Sequence, residues 1–288
     1  MTPKNTNYQN LFEAFAKDGI LIPETLKTQI TDQLNDKINY EPKIGIFGKT
    51  GVGKSSLCNA VFGRDVCPIS DIESCTREPQ ELFLAIGKSG LKLVDVPGIG
   101  ENDARDNEYH ALYTKLIPEL DLILWILKAD DRAFSAEEKF YKCLVSPYIA
   151  HGKPFFIIIN QIDKIEPFQA WDVEARRPDA TQEHNIQEKR KAVSNYFNLP
   201  LDQILAVSAN EKYGLIELVD AIVHALPKDK KLVVLNQVVD NNISKSASQE
   251  AKAGWLDTVS DIIETTVGKA ATYIIKKVAT IVSRIWQW

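Results

Sequence analysis

Short runs of apolar residues recur through the middle of the chain, and each has the length of a buried strand. The runs lie at about 43–48, 81–87, 91–97, 120–129, 154–160 and 204–209. Helical patterns separate most of them, at about 54–62, 105–117, 136–150, 183–198 and 214–226. Strands joined by helices need crossover connections, so the pattern predicts an α/β fold with a six-stranded, mostly parallel sheet. A Lys-Ser-Gly turn joins the second and third runs, which predicts a hairpin and one antiparallel edge strand.

Both ends of the chain show helical periodicity. Between Leu11 and Ile38 apolar residues recur, with a four-residue spacing in the second half. A charged stretch follows Pro227, and the pattern beyond it stays helical as far as Trp288. We therefore predict three regions: an N-terminal helical segment at 1–42, a central domain at 43–227, and a C-terminal helical, amphipathic region at 228–288.

The apolar residues after Trp255 form one stripe at helical spacing. The last twenty residues contain four cations and no acidic residue, and they end in Trp-Gln-Trp. One interpretation is that the stripe docks on another helix, with the helix at 24–38 as a candidate. The other is that 255–288 lies in a membrane interface. The sequence leaves both open.

Composition narrows the class of protein. The chain has 288 residues, 44% of them hydrophobic, and a formal net charge of -5, which argues against a nucleic-acid footprint over the whole surface. Its four cysteines show no CxxC pair, so neither a zinc knuckle nor a disulfide framework is indicated. No signal peptide and no uncharged apolar stretch of spanning length is seen. We expect a cytoplasmic protein, with peripheral contact at the inner membrane as the alternative.

A glycine-rich segment between the first strand and the first helix of the central domain predicts a phosphate site. The segment reads GKTGVGKS and fits GxxxxGK followed by Ser. Its glycines let backbone N–H groups surround phosphate oxygens, and the helix that follows points its positive end at the anion. Lys54 would reach the β and γ phosphates, and the Ser55 hydroxyl would bind Mg²⁺. The expected binding residues are Gly48, Lys49, Thr50, Gly51, Val52, Gly53, Lys54, Ser55 and Ser56.

A second motif, DVPG, ends the predicted strand at 91–96 and supplies groups for the metal and the γ phosphate. The Asp95 carboxylate could hold Mg²⁺ through water, and the Gly98 amide could sense the γ phosphate. Thr76, in the connection before the hairpin, is the expected hydroxyl ligand of Mg²⁺, and Ser74 is its rival. Ser55, Thr76 and Asp95 are thus the candidate metal ligands.

Two further motifs point to a guanine base. NQID follows the strand at 154–160, and a carboxylate at Asp163 can accept from the N1–H and N2–H₂ groups of guanine, a donor pair that adenine lacks. Asn160 would tie this loop to the phosphate loop. Gln161 follows Asn160 in the motif, and we expect both, with Asp163, to belong to the nucleotide-binding residues. Ser208 and Ala209, at the end of the last strand, would present a backbone N–H to O6 of guanine.

Taken in order, these motifs resemble those of the Era-like (TrmE-Era) P-loop GTPases over about residues 43–227. Longer stretches such as FGKTGVGKSSLCNAVFG and DVPGIGE are similar to the prophage-borne YfjP/YeeP type of that group. The resemblance implies a Ras-like domain that binds GTP or GDP with Mg²⁺ and hydrolyses GTP to GDP and phosphate. The expected effector is an unknown protein, or an RNA or ribosome such as some Era-like relatives bind.

Three positions depart from the patterns of related GTPases. Gly51 stands where some relatives have an Asn that helps to hold an activating K⁺, so the sequence gives no support for potassium-stimulated turnover. Gln161 stands where most members have Lys, whose stem covers the guanine plane, so guanine affinity is expected to be modest. Ile99 stands where many GTPases have a Gln that orients water, so intrinsic hydrolysis is expected to be slow. Lys54, Thr76 and Gly98 remain as the catalytic candidates. The missing group would come from a partner, a second protomer, or an arginine such as Arg77 or Arg105.

The sequence leaves three functional hypotheses open. The first is a GTP-hydrolysing switch whose loops at about 65–80 and 97–110 respond to the nucleotide. The second is a membrane-associated or self-assembling GTPase of the dynamin-like or immunity-related type, in which nucleotide controls a homodimer or the C-terminal amphipathic helix. The third is a module that binds nucleotide without hydrolysis. The effector, the oligomeric state and any K⁺ dependence are not specified by the sequence.

Overall fold

Six strands lie in the part of the chain that the computed structural model describes, and they form one sheet. The structure describes residues 8–17, 19–63, 80–84, 91–95, 113–131 and 134–267, with the strands at 80–84 and 91–95 given by their backbone alone. The strands are β1 (Lys43–Phe47), β2 (Gln80–Leu84), β3 (Leu91–Asp95), β4 (Leu122–Lys128), β5 (Phe155–Asn160) and β6 (Ile204–Ala206). Their order in the sheet is β2-β3-β1-β4-β5-β6.

The sheet is parallel except at one edge. β2 runs antiparallel to β3, whereas β1 pairs in parallel with both β3 and β4, and β5 lies parallel to β4 and β6. The prediction of an α/β class with a mainly parallel sheet is confirmed. β1 lies at the centre, so the loop that follows it opens at the middle of the carboxyl edge of the sheet.

Helices connect the strands and extend the chain at both ends. The helices are α1 (Gln9–Lys17), α2 (Glu24–Ile38), α3 (Lys54–Phe62), α4 (Ser135–Phe140), α5 (Ser146–Ala150), α6 (Ala180–Phe197), α7 (Leu215–Ala225), α8 (Lys228–Leu235) and α9 (Lys245–Val267). A π-helical stretch, Tyr141–Val145, joins α4 to α5. The Asp179 side chain caps α6, because its carboxylate accepts from the Gln182 N–H at 2.7 Å.

Alternate residues of β4 face the two sides of the sheet, and each side has its own core. Leu122, Leu124 and Ile126 pack with residues of α1, α2, α3 and α7–α9. Ile123 and Trp125 face the other core, where the Trp125 ring stacks on Phe47 at 5.8 Å between ring centroids. The helices from both ends of the chain therefore cover the same face of the sheet. The proposed limits at 1–42, 43–227 and 228–288 stay a prediction about sequence organisation.

The C-terminal region docks through α9, which packs along α8 and α2. Trp255 and Val259 on α9 are buried, and Gly254 lies so close to α8 that an added Cβ would be 2.8 Å from the Lys228 carbonyl oxygen. The apolar stripe is therefore in contact with the helix at 24–38 as far as the described residues run. Residues 268–288, which carry the four cations, lie outside them. Among the described residues, no helix is long and apolar enough to cross a membrane.

A buried carboxylate joins the segment between α2 and β1 to the C-terminal region. Asp121, just before β4, accepts from the Tyr40 hydroxyl at 2.9 Å and from the Lys43 amide at 2.9 Å, and it pairs with Lys230 of α8. Burial lowers the pKa of the Lys230 ammonium, but the hydrogen bonds and charge interactions with Asp121 and Tyr40 together outweigh this effect and leave the pKa raised overall. This network lies at the edge of the sheet opposite the loop that follows β1.

Candidate nucleotide site

The loop between β1 and α3 has the backbone geometry that a phosphate-binding loop needs. Gly48, Gly51 and Gly53 all have positive φ, of 144°, 83° and 87°. At Gly53 an added Cβ would lie 2.5 Å from the Asn160 amide nitrogen, and at Gly48 it would lie 2.4 Å from the Ile126 carbonyl oxygen. These positions therefore require glycine. The N-terminus of α3 has no side-chain cap, which is the kind of helix start that suits a bound anion.

Lys54, at the start of α3, places its ammonium over this loop. The Nζ donates to the Gly48 carbonyl at 3.0 Å and to the Lys49 carbonyl at 3.3 Å. Ser55 and Ser56 follow in the first turn of α3, and both are partly buried. Thr50 and Gly51 form the exposed tip, while Val52 turns into the core at 3% exposure. The positive charge of Lys54 thus lies against the backbone of this loop.

Asn160, the last residue of β5, joins three loops. Its side chain is 1% exposed, and its Nδ2 donates to the Val52 carbonyl at 2.9 Å. Its Oδ1 accepts from the Ala209 N–H at 3.2 Å. The asparagine therefore connects the phosphate loop to the segment after β6. The bond to the phosphate loop was expected from the sequence, and the bond to Ala209 was not.

Gln161 also reaches the phosphate loop. It sits in the left-handed region at φ 64°, and its Nε2 donates to the Gly51 carbonyl at 3.2 Å. Lys164 in turn donates to the Gln161 Oε1 at 2.8 Å. The amide thus bridges a cation and the loop.

Asp163 lies in a single 3-10 turn, Ile162–Lys164, directly after β5. The residue is partly exposed, but its Oδ1 is buried and has no hydrogen-bond partner among the described residues. A buried carboxylate oxygen without a donor is costly, so the site favours a ligand that brings N–H groups. The N1–H and N2–H₂ edge of guanine has that chemistry. The residues present therefore fit a guanine nucleotide.

The segment after β6 is fixed by its own hydrogen bonds. Ser208 and Tyr213 exchange backbone bonds at 3.0 Å each, which turns the chain away after Ala206 and ends β6 earlier than the predicted run at 204–209. The Ala209 N–H, one of the two backbone donors expected near O6 of guanine, donates to the Asn160 Oδ1 at 3.2 Å. That bond is at the long end of the usual range, so a base carbonyl could share this donor.

Part of the expected metal and γ-phosphate machinery lies outside the described residues. Thr76, Gly98, Ile99, Arg77 and Arg105 are all in this group. Of Asp95 only the backbone is given, at the carboxyl end of β3 and in register with Ile46 of β1. Ser55 is the one expected metal ligand whose side chain is described. The described residues contain no cluster of three or more His, Cys, Asp or Glu that could hold a metal.

The long loop after NQID is an ordered part of the site's surroundings. Trp171 is buried and packs edge-on against Tyr213, with ring centroids 5.5 Å apart. Asp172 and Arg177 exchange backbone hydrogen bonds of 2.9 and 3.2 Å. Gln182, at the base of this loop, donates to the backbone carbonyls of Asp163 and Ile165. The sequence motifs did not indicate this contact. The one sign of it in the sequence is that a polar residue lies on the apolar stripe of α6.

Comparisons with known proteins agree with this geometry. A family model described as a 50S ribosome-binding GTPase matches residues 43–161. The chain is 37% identical to the uncharacterized protein YkfA of Escherichia coli (strain K12) over 243 residues, which is 84% of this chain and 82% of YkfA. It is also 37% identical to YfjP of the same organism over 244 residues, 85% of this chain and 83% of YfjP. GTPase Der of Leptospira borgpetersenii serovar Hardjo-bovis (strain L550) is 29% identical over 219 residues, 75% of this chain and 42% of Der.

These matches define the chain as a P-loop GTPase with a Ras-like fold. It belongs to the Era-like GTPases and is related to the YfjP type. It binds guanine nucleotides and hydrolyses GTP, as the names of the family and of Der state for that class. The family, fold class and activity predicted from the sequence are thereby confirmed.

Proposed function

We propose that this chain is a slow, nucleotide-dependent switch that binds GTP with Mg²⁺ and releases phosphate to return to a GDP form. The observation that carries the proposal is the buried Oδ1 of Asp163, which has no hydrogen-bond partner among the described residues, together with the Lys54 ammonium that lies on the loop before α3. One end of the site suits a base that donates N–H groups, and the other suits a polyphosphate. The loops at about 65–80 and 97–110 are the proposed switches.

Mg²⁺ completes the proposed site. Ser55 in the first turn of α3, Asp95 at the end of β3 and Thr76 are its proposed ligands, and Lys49 and Thr50 belong to the phosphate-binding loop. Oxygen ligands of this kind suit Mg²⁺, which would offset charge on the β and γ phosphates. The placement of β3 beside β1 supports the pairing of Ser55 with Asp95, because both segments end at the same edge of the sheet.

Slow turnover follows from the residue after DVPG. Ile99 has no group that can orient water, so Lys54, Thr76 and the Gly98 amide supply charge stabilisation without positioning the nucleophile. An arginine from a partner, a second protomer or the chain itself would raise the rate by about 10³ to 10⁵. The effector is proposed to be RNA or a ribosomal subunit, a proposal supported by the family description.

Single-turnover hydrolysis tests the switch proposal. Dilute parent protein loaded with GTP is expected to release phosphate over minutes to hours, and Lys54→Ala is expected to lose binding of the triphosphate. Lys191→Ala is the control, since it removes an exposed ammonium on α6 that pairs with Glu188, and it is expected to keep triphosphate binding. A fast rate in dilute parent protein, unchanged by concentration, would contradict the need for an added catalytic group.

A second candidate is a membrane-associated GTPase, and the cation-rich stripe at 268–288 favours it. The apolar face of α9 up to Ile263 is already buried against the fold, so contact with lipid would fall to the residues beyond it. Co-sedimentation with anionic vesicles, with and without 268–288, separates the two. Equal binding of both forms counts against the membrane role and leaves a cytoplasmic protein as proposed.

A further inference from the structure

Gln182 occupies a core position where an apolar residue is expected. The buried residues of α6 are Gln182, Ile186, Val193 and Phe197, which lie on one stripe of the helix. Gln182 is 0% exposed. A primary amide is costly to bury unless its hydrogen bonds are replaced, so its partners identify its role.

The amide of Gln182 bonds to the loop that carries Asp163. Its Nε2 donates to the Ile165 carbonyl at 2.9 Å and to the Asp163 carbonyl at 3.3 Å. Both partners are acceptors, which fixes the amide with its nitrogen towards the loop. Its Oε1 is buried without a partner among the described residues.

Packing alone does not explain a buried glutamine at this position. A methionine would fill a similar volume without burying an unpaired oxygen, so the benefit of the amide must lie in the two carbonyls that it binds. The Asp163 carbonyl lies within the short turn at Ile162–Lys164, and the Ile165 carbonyl directly follows it. Two local backbone bonds of 3.0 Å also hold this turn. The base of α6, with its Asp179 cap, is thus coupled to the turn.

We propose that Gln182 is a positioning residue for guanine recognition. By holding the backbone of Asp163 and Ile165, it keeps the Asp163 carboxylate aligned with both the N1–H and the N2–H₂ groups of the base. The inference rests on the proposed function of Asp163 as the group that accepts from guanine. It assigns base selectivity partly to a residue outside the motif.

The test compares GDP with inosine diphosphate, which keeps N1–H but lacks the exocyclic amino group. The ratio of their affinities reports whether the carboxylate meets both donors. In Gln182→Met the affinity for GDP is expected to fall about tenfold and that for inosine diphosphate about twofold, which lowers the ratio about fivefold. Calorimetry gives the affinities, and thermal unfolding checks that the variant is folded.

Gln187→Met is the matched control, because it makes the same change on the same helix. Gln187 is partly exposed and bonds to Glu183 at 2.6 Å rather than to the Asp163 turn. It is expected to keep the parent ratio. If Gln182→Met fails to fold, Gln182→Asn replaces it, since its shorter amide cannot span both carbonyls, and the ratio is again expected to fall.

The outcomes separate the two proposals. A parent protein that binds GDP and inosine diphosphate equally would overturn both the guanine-reading role of Asp163 and the role of Gln182. A parent preference that survives unchanged in a folded Gln182 variant would overturn the positioning role alone. An equal loss of affinity for both nucleotides would also overturn it, since a merely structural residue gives that pattern.

Discussion

Replacing Asn160 with alanine should separate the phosphate loop from the segment after β6. The Asn160 side chain donates to the Val52 carbonyl at 2.9 Å and accepts from the Ala209 N–H at 3.2 Å, and it is almost completely buried. Alanine leaves a buried acceptor and a buried donor without their partner. Each is worth about 1–2 kcal/mol, so the total loss is about 2–4 kcal/mol.

Part of that loss should appear in nucleotide binding. The freed loop samples other arrangements, and GDP must restore the binding geometry when it binds. If half of the loss, about 1–2 kcal/mol, is taken from the free energy of GDP binding, the Kd for GDP rises by about 5- to 30-fold. The remainder appears as a lower free energy of unfolding, which urea denaturation of the nucleotide-free protein measures.

Calorimetric titration with GDP is the assay for this variant. Asn39→Ala is a suitable control, because Asn39 is exposed at the end of α2 and contributes its backbone N–H, not a side-chain bond, to the cap. It should bind GDP like the parent. Binding by Asn160→Ala within twofold of the parent, in folded protein, would refute the view that this side chain holds the site together.

Three further variants test how the rest of the chain is coupled to the fold. Gly254→Ala should destabilise the protein by about 1–3 kcal/mol in urea unfolding, because the new Cβ would lie 2.8 Å from the Lys228 carbonyl oxygen. Asn242→Ala should lower the free energy of unfolding by about 1 kcal/mol, with a lower melting temperature, because its amide caps the C-terminus of α3 through a 2.9 Å bond to the Ala60 carbonyl. Glu250→Gln should weaken the dependence of stability on pH below neutrality.

The sign for Glu250 follows from its surroundings. Its hydrogen bond with Lys231 holds the pKa of the carboxyl below its ordinary value. The folded state therefore binds this proton less readily than the unfolded state. The resulting stability is present above the ordinary pKa and is lost as the pH falls through the lowered one. Urea midpoints between about pH 3 and 7 measure it.

Each of these three has an outcome that would contradict it. Glu264→Gln, at an exposed position, is the control for Glu250→Gln. If both variants and the parent lose stability equally as the pH falls, the Lys231–Glu250 pair does not cause the pH dependence. Unchanged stability in Gly254→Ala would mean that α8 and α9 can separate freely. Unchanged melting of Asn242→Ala would mean that the end of α3 needs no cap from the C-terminal region.

The phosphate loop was predictable because its determinants are contiguous. Glycines at positive φ, a lysine and a following helix occupy eight successive positions, and the structure places them as a loop between β1 and α3. The parallel sheet was predictable for a related reason, since buried strands read as unbroken apolar runs. Helices at both ends of the chain were predicted, but the face of the sheet that they cover depends on contacts between distant segments.

Contacts between distant segments account for what the sequence did not reveal. The packing of Trp171 on Tyr213 and the bond of Gln182 to the Asp163 turn join residues far apart in sequence. The end of β6 is a local exception, because the exchange of backbone bonds between Ser208 and Tyr213, which residue propensity does not mark, ends the strand. The Ala209 amide was expected to face a ligand, and only the structure shows that Asn160 engages it.

Exchange of the base preference is the most direct test of the account. Asp163→Asn would accept from N1–H and donate to the C2 carbonyl of xanthine, so affinity should move from GDP to xanthosine diphosphate, with GDP weakened by about 100-fold. The parent should prefer GDP to both ADP and xanthosine diphosphate. A parent that binds ADP as tightly as GDP, or an Asp163→Asn variant that keeps its preference for GDP, would contradict the assignment of the site.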